Sequence, residues 1–320
     1  MAFRSDAREI PDNWTINSIE SPRPALITYK QRNPGDAFPK DEIWIYNKQE
    51  KSFIKTNLKK WDNENYWFIG WSSFSDGCFI QRINREQNKC DILLLHQNGE
   101  YEVMIEERPN ANIYFPQEFR EVGKDKYLWL SRRDGWAHLY LFSIKEKTID
   151  QLTQGSFTVE RIVGIDSSSN ILYFSAFGKE ENINPYYRFY YSLNLQTKQL
   201  KLITPDNANH EIQISPNFKY FTDVFSRVDM PHKSQLRDNK GKLIKEIEDA
   251  EASLLFANNW SSPEIFSVKA ADSVTDLWGV MWKPFDFDPN KKYPIITFVY
   301  PGPQDNFVPV NFSKGLITFI

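Results

Sequence analysis

The sequence predicts an all-β chain, a partial β-propeller of four-stranded blades that leads into the first strands of a second, α/β domain. Three observations carry this reading. Aromatic residues make up 15% of the 320 residues, with Phe 24, Tyr 15 and Trp 10, and such side chains favour the pleated, half-buried surface of strands. One short unit of strands and turns recurs through the middle of the chain. Gly and Pro, at 13 and 18, fall between apolar runs as punctuation and are too few for a fibrous or disordered chain.

The elements follow in order. The N-terminus, Met1-Ala-Phe-Arg-Ser-Asp6, has no apolar h-region, so no signal peptide is read there. Glu42-Ile-Trp-Ile-Tyr46, the polar turn Asn47-Lys-Gln-Glu-Lys51 and Ser52-Phe-Ile-Lys55 form the outer hairpin of a half blade. Nothing upstream clearly supplies its inner strands. Four units follow, whose second strands are centred on Phe79-Ile-Gln-Arg82, Leu128-Trp-Leu-Ser131, Leu172-Tyr-Phe-Ser175 and Tyr220-Phe-Thr-Asp223. The starts of these cores lie 49, 44 and 48 residues apart, and a period of ~40–50 with several strands per repeat is the signature of propeller blades. A sandwich could use similar strands, but its hairpins would not recur at a fixed period.

Turn residues precede each core: Ser75-Asp-Gly77, Gly123-Lys-Asp-Lys126, Asp166-Ser-Ser-Ser-Asn170 and Ser215-Pro-Asn217. Asp, Asn and Ser bond their own backbone, and Gly and Asn accept the positive φ of tight hairpins. Third strands are read at Asp91-Ile-Leu-Leu-Leu95, Leu139-Tyr-Leu-Phe142 and Tyr190-Tyr-Ser-Leu193, with an insertion at 178–185 expected to project as a loop. Beyond 250–265 the chain passes to its second domain. Ser267-Val-Lys-Ala270 and Leu277-Trp-Gly-Val-Met-Trp282 pair around Asp272-Ser-Val-Thr-Asp276, and a proline-bounded polar loop, 284–292, follows. Last comes Tyr293-Pro-Ile-Ile-Thr-Phe-Val-Tyr-Pro-Gly-Pro-Gln304, read as a buried strand at 295–299 that runs into Tyr300 and a rigid Pro-Gly-Pro turn.

Composition excludes several function classes. A net charge of −3 and pI near 5.9 provide no basic stripe for a phosphate backbone, so no nucleic-acid partner is expected. No run approaches the ~18 apolar residues of a membrane span. Cys78 and Cys90 could face each other across a hairpin or stand as two separate thiols. No second Cys or His completes a zinc ligand set, so no metal is expected.

The combination of Ser131-Arg-Arg-Asp-Gly-Trp-Ala-His-Leu-Tyr140, Leu277-Trp-Gly-Val-Met-Trp-Lys-Pro284 and Lys292-Tyr-Pro-Ile-Ile-Thr-Phe-Val-Tyr-Pro-Gly-Pro-Gln304 resembles the dipeptidyl peptidase IV branch of the prolyl oligopeptidase family. Trp14-Thr-Ile-Asn-Ser-Ile-Glu-Ser-Pro-Arg-Pro-Ala-Leu-Ile-Thr-Tyr29 resembles its bacterial members, and the likeness runs in order along essentially the whole chain. The resemblance implies an eight-bladed propeller capping an α/β-hydrolase domain that removes N-terminal dipeptides, typically after proline or alanine. It divides the chain into part of the propeller, 1–260, and the truncated start of the peptidase domain, 261–320. It also implies a peptide substrate with a free N-terminus, no cofactor, a homo-oligomeric full-length enzyme and a periplasmic or outer-surface location.

Within that resemblance Tyr300 is the candidate catalytic residue, a phenol held where an oxyanion develops. The other reading is a strand-end aromatic packed in a core. The serine, aspartate and histidine of the triad are not in this chain: no Gly-x-Ser-x-Gly turn occurs, and the resemblance puts all three after Ile320. The chain alone is therefore expected to be inactive. A non-catalytic propeller that binds a peptide or protein is the competing reading. Glu106-Glu107 and Glu180-Glu181 are read as solvated pairs and not as a clamp for a substrate amine. Arg132-Arg-Asp-Gly-Trp136 is read as a hairpin turn with Trp136 packed beside it, and His138 as a satisfied or exposed strand histidine. His96, His210 and His232 have no nucleophile to serve.

Overall fold

The computed structural model describes residues 1–109, 113, 118–123, 125–300 and 307–313. Four sheets repeat one antiparallel, four-stranded pattern in chain order. The first is β6 (Asn65–Trp71), β7 (Gly77–Ile83), β8 (Cys90–His96) and β9 (Tyr101–Glu107). The second is β10 (Phe119–Gly123), β11 (Lys126–Ser131), β12 (His138–Ser143) and β13 (Thr148–Gln151). The third is β14 (Thr158–Asp166), β15 (Ile171–Phe177), β16 (Arg188–Asn194) and β17 (Leu200–Leu202). The fourth is β18 (Asn209–Ile214), β19 (Tyr220–Arg227), β20 (Met230–Asp238) and β21 (Leu243–Asp249). Every second-strand core expected from the repeat lies inside β7, β11, β15 or β19. The turn expected at 123–126 includes Lys124, which lies outside the described residues.

Turn chemistry sets these registers. Asn84 Oδ1 accepts the backbone N–H groups of Asn88 and Lys89 at 3.1 and 2.8 Å and closes the β7–β8 hairpin. Gln87 there takes a φ of 54°. At the start of β7 a Cβ on Gly77 would lie 2.5 Å from the Leu95 carbonyl oxygen, so only glycine fits that close approach.

The half blade is fuller than expected. β1 (Ala2–Asp6) pairs with β4 (Lys40–Asn47), which pairs with β5 (Ser52–Lys55), giving three strands in place of a lone outer hairpin. Between β1 and β4 a separate two-stranded hairpin forms from β2 (Asp12–Asn17) and β3 (Ala25–Lys30), with Trp14, Ile16 and Leu26 exposed. The 178–185 insertion also departs from expectation, because it folds back. Asn184 is buried and its side-chain oxygen accepts the Tyr186 N–H at 3.0 Å, while Glu180 accepts the Tyr191 hydroxyl at 2.9 Å.

The chain divides into two compact units. One comprises Met1–Tyr127, Ser131–Gly135 and Phe142–Ile149; the other comprises Leu128–Leu130, Trp136–Leu141 and Asp150–Ile320. In the first, Ile43, Leu58, Cys78, Ile80, Leu93 and Leu95 form a buried cluster, and Phe119 and Tyr127 stack at 4.9 Å beside Phe79. In the second, Tyr173, Tyr190, Ile203, Ile212 and Phe221 form the corresponding cluster. Burial of such side chains contributes about 1.5–3 kcal/mol each.

After β21 come one short helix, α1 (Ser253–Ala257), and a two-stranded sheet of β22 (Glu264–Lys269) and β23 (Asp276–Met281). This is the pair expected around Asp272, whose carboxylate accepts the Val274 and Thr275 N–H groups, both at 2.9 Å. The buried strand expected at 295–299 is not formed. Ile295 and Ile296 are 85% and 96% exposed, and the segment has no ladder partner among the described residues. An apolar run becomes a strand only when neighbours take its N–H and C=O groups.

Candidate functional site

Tyr300 ends that segment and is 61% exposed. The Phe307 ring lies 5.6 Å from it and 4.8 Å from Phe298, so Phe307 packs against both. No group among the described residues hydrogen-bonds the Tyr300 hydroxyl, which leaves the O–H as a donor. The Pro301-Gly-Pro-Gln304 turn lies outside the described residues. Upstream, Phe287 stacks on Tyr293 at 5.1 Å, and the Tyr293 hydroxyl accepts the Asp288 N–H at 2.9 Å. These contacts close the 284–292 loop before the segment begins.

Downstream, residues 307–313 return to the fourth sheet. Asn311 Oδ1 accepts from Asn209 Nδ2 at 2.9 Å and from Ser226 Oγ at 3.3 Å. The Phe312 N–H donates to Ser226 Oγ at 3.2 Å. Its ring meets Trp260 edge-on at 5.4 Å and His232 at 6.5 Å.

Glu106 and Glu107 do not form the solvated pair expected. Glu107 is 3% exposed, accepts Ser131 Oγ on both oxygens at 2.9 Å, and pairs with Arg133. The register places Cys90 opposite Glu107, which turns this carboxylate inward beneath the Ser131–Gly135 turn. A buried charge persists only when paired and hydrogen-bonded, and Arg133 and Ser131 supply both conditions. Glu106 remains half exposed and pairs with Lys60 and Arg108 at 3.0 and 2.9 Å.

Beside Glu106 lies a buried charge cluster that sequence reasoning missed. Asp91, fully buried, accepts from Arg82 Nη2 and Arg108 Nη2, each at 2.6 Å, and from Lys60 Nζ at 3.0 Å. Burial alone would raise the Asp91 carboxyl. The hydrogen bonds from Arg82, Arg108 and Lys60 outweigh it and hold the carboxyl below the usual carboxylate range. The guanidinium carbons of Arg82 and Arg108 each sit 5.3 Å from the Trp61 ring centre, and Glu64 accepts the N–H groups of Lys60 and Trp61. Asp91, lying between apolar residues in a strand, gives no local sign of these partners.

The Arg132-to-Trp136 turn is structural, as expected: Gly135 takes a φ of 95° and its N–H donates to the Arg132 carbonyl at 3.0 Å. Trp136 is half exposed and less packed than expected. His138 is fully buried and satisfied. Its Nε2 donates to the Gly155 carbonyl at 2.9 Å, and its Nδ1 meets the Thr153 hydroxyl at 3.0 Å. His210 Nδ1 faces Asp223 at 2.9 Å and its Nε2 faces the Asp206 carbonyl at 2.8 Å. His96 contacts Asp76 at 3.0 Å.

Cys78 and Cys90 are free, buried thiols, opposite Leu95 and Ile83 rather than each other. Burial pushes Cys78 up to about 11 and Cys90 up to about 12, so neither is a thiolate nucleophile near neutrality. Among the described residues no group of three or more His, Cys, Asp or Glu is placed to hold a metal ion, and no helix is long and apolar enough to cross a membrane.

Comparison with known proteins adds the ancestry of this arrangement. The family model described as the dipeptidyl peptidase IV (DPP IV) N-terminal region matches residues 2–232. Dipeptidyl peptidase 4 of Arthroderma otae is 26% identical over 249 residues, covering 73% of this chain and 31% of its own length. Dipeptidyl peptidase 4 of Trichophyton equinum is 25% identical over 246 residues, with the same 73% and 31% coverage. The crystal structure of Porphyromonas gingivalis dipeptidyl peptidase 4 superposes with a TM-score of 0.81 at 21% identity, covering 97% of this chain and 44% of that one. The four-stranded sheets therefore share the fold of that protein's propeller region. The chain spans about a third of the length of the curated relatives it matches.

Proposed function

Because the chain belongs to the family of dipeptidyl peptidase IV N-terminal regions, we propose that it is part of a serine-type dipeptidyl peptidase. In this reading, residues 1–260 are part of the substrate-admitting propeller and 261–320 begin the α/β-hydrolase domain. The complete enzyme removes dipeptides from peptides with a free N-terminus, typically after proline or alanine. It works as a homo-oligomer in the periplasm or on the outer surface. The observation that carries the reading is the family match over 2–232, which runs along the first three blade-type sheets and into the fourth. The motif ending in Tyr300-Pro-Gly-Pro303 supports the hydrolase part. The apolar β2–β3 hairpin, with Trp14, Ile16 and Leu26 exposed, supports self-association.

Chemically, a serine hydroxyl attacks the carbonyl after the second residue of the substrate, and its proton passes to a histidine. Tyr300 contributes a neutral O–H donor to the oxygen on which charge develops, where a rigid donor stabilises the tetrahedral state more than the ground state. The serine, histidine and carboxylate are supplied by residues outside this chain, whose sequence holds no Gly-x-Ser-x-Gly turn.

Release of p-nitroaniline from Gly-Pro-p-nitroanilide tests the proposal. The chain alone is expected to release none, whereas the product of the complete gene cleaves the reporter. In that product Tyr300→Phe is expected to lower kcat by about 10²–10³, the usual effect of losing one oxyanion donor. Turnover by the chain alone, or an unchanged kcat for Tyr300→Phe, overturns the assignment.

A further inference from the structure

The polar pair at the end of the fourth sheet is built to receive the segment that follows Tyr300. Asn209 and Ser226 are direct cross-strand partners on β18 and β19. Both are at least nine-tenths buried, with Asn209 8% and Ser226 0% exposed. The Asn209 side-chain oxygen accepts the Arg188 N–H at 2.9 Å, which leaves its Nδ2 to donate outward. That donor meets Asn311 Oδ1 at 2.9 Å. Ser226 Oγ uses both of its capacities, donating to Asn311 Oδ1 and accepting the Phe312 N–H.

The pair is also held from behind. His210, the residue after Asn209, is clamped between Asp223 and the Asp206 carbonyl, and its ring lies 5.1 Å from Phe225, which precedes Ser226. Arg237 donates to Asp223 at 3.2 Å and to Asp206 at 2.5 Å, tying β20 into the same network. Beside the pair, Phe312 enters a ring cluster with Trp260, itself 5.3 Å from Phe256. An Asn-Phe dipeptide is thus read by two donors, one acceptor and an aromatic seat.

We propose that Asn209 and Ser226 form a latch that captures Asn311 and Phe312 and so fixes the strap carrying Phe307 against Tyr300. In its final step this rests on the reading of Tyr300 given above: the latch residues are positioning residues for the oxyanion donor. The latch itself stands without that reading. Among the described residues the segment before Tyr300 has no sheet partner, so the packing of Phe307 on the tyrosine depends on the strap anchored eleven residues later.

The chemistry of the latch makes a discriminating prediction. Asn311 acts only as an acceptor, with two donors on one oxygen, so Asn311→Asp keeps the latch, whereas Asn311→Leu of similar bulk loses it. The test uses the full chain with a protease site placed in the exposed 284–292 loop and 3-fluorotyrosine incorporated. After cleavage the C-terminal piece is expected to stay with the sheets in the unsubstituted chain and in Asn311→Asp. Its release is expected to be about tenfold faster or more in Asn311→Leu and Ser226→Ala, the scale of one or two lost hydrogen bonds. The Tyr300 fluorine resonance, assigned through Tyr300→Phe, is expected to keep its shift in Asn311→Asp and to move to the free-tyrosine position in Asn311→Leu. Circular dichroism and the melting temperature of each variant confirm that the sheets are intact. Equal retention in Asn311→Leu and Asn311→Asp overturns the latch. Faster release in Asn311→Leu with an unchanged Tyr300 resonance overturns the positioning role alone. An unchanged kcat for Tyr300→Phe in the complete enzyme overturns the oxyanion reading and leaves the latch standing.

Discussion

Strand β15 and the segment 295–299 are made of the same kinds of residue and end in opposite surroundings. β15 reads Ile-Leu-Tyr-Phe-Ser-Ala-Phe, and 295–299 reads Ile-Ile-Thr-Phe-Val. In β15, Leu172 and Phe174 are fully buried, because β14 pairs on one side and β16 on the other. In 295–299, Ile296 and Phe298 are exposed, and no strand among the described residues takes the backbone. Apolar and β-branched composition makes a strand possible. The ladder on both sides, formed here by the neighbouring hairpin strands β14 and β16, decides whether it exists.

The sharpest way to break this contrast is to truncate the same side chain in both places. Phe174→Ala is expected to cost about 3–5 kcal/mol, because it empties a fully buried ring site. Urea unfolding followed by tryptophan fluorescence reads the loss. A cost below about 1 kcal/mol would mean that the third sheet is not the cooperative element described.

Next in size is the charge cluster of the first sheet. Asp91→Asn removes the anion shared by Arg82, Arg108 and Lys60 and leaves the fully buried Arg82 without its charged partner. A loss of about 3 kcal/mol is expected. The pH dependence has a defined sign. The folded carboxyl titrates below its unfolded value, so its contribution is present above about pH 3.9 and fades as pH falls through the lower folded value. Acid titration of stability should therefore be shallower in Asp91→Asn than in the unsubstituted chain. Identical acid profiles would remove Asp91 from the list of linked groups.

Thiol labelling tests burial without any substitution. Cys78 and Cys90 lie in β7 and β8, with burial raising both thiols. Iodoacetamide at pH 8 is expected to modify them only at the rate of global unfolding. Rapid labelling would show that the first sheet opens locally. The smallest effect belongs to the exposed segment. Phe298→Ala is expected to change stability by no more than about 0.5 kcal/mol, whereas a cost near that of Phe174→Ala would show that the segment is covered in solution.

These contrasts also mark how far the sequence could be read. The four second strands were legible because Phe79, Leu128, Leu172 and Tyr220 recur at similar spacing behind turn residues. Hairpin pairing is local, and local signals suffice for it. β1 was not legible, since Ala-Phe-Arg-Ser-Asp carries one large apolar residue and takes its strand form from β4, more than thirty residues later. Glu107 was misread for a related reason: its partners Ser131 and Arg133 lie 24 and 26 residues ahead, and only the folded register brings them under it. The segment before Tyr300 errs in the other direction, where a strong local pattern has no sheet partner among the described residues to realise it. Of the candidate site, the sequence names Tyr300, whereas the Asn209, Ser226 and Asn311 contacts depend on residues 85 to 102 positions apart.

His138 carries a further consequence. The Gly155 carbonyl can only accept, so Nε2 must hold the proton, and the Thr153 hydroxyl, which accepts the Leu139 N–H at 3.0 Å, gives its own hydrogen to Nδ1. One ring tautomer is therefore written into the β12–β13 hairpin. Its shielded imidazole proton should give a downfield NMR line that survives solvent exchange for as long as this hairpin stays shut, an intrinsic gauge of blade integrity that needs no label.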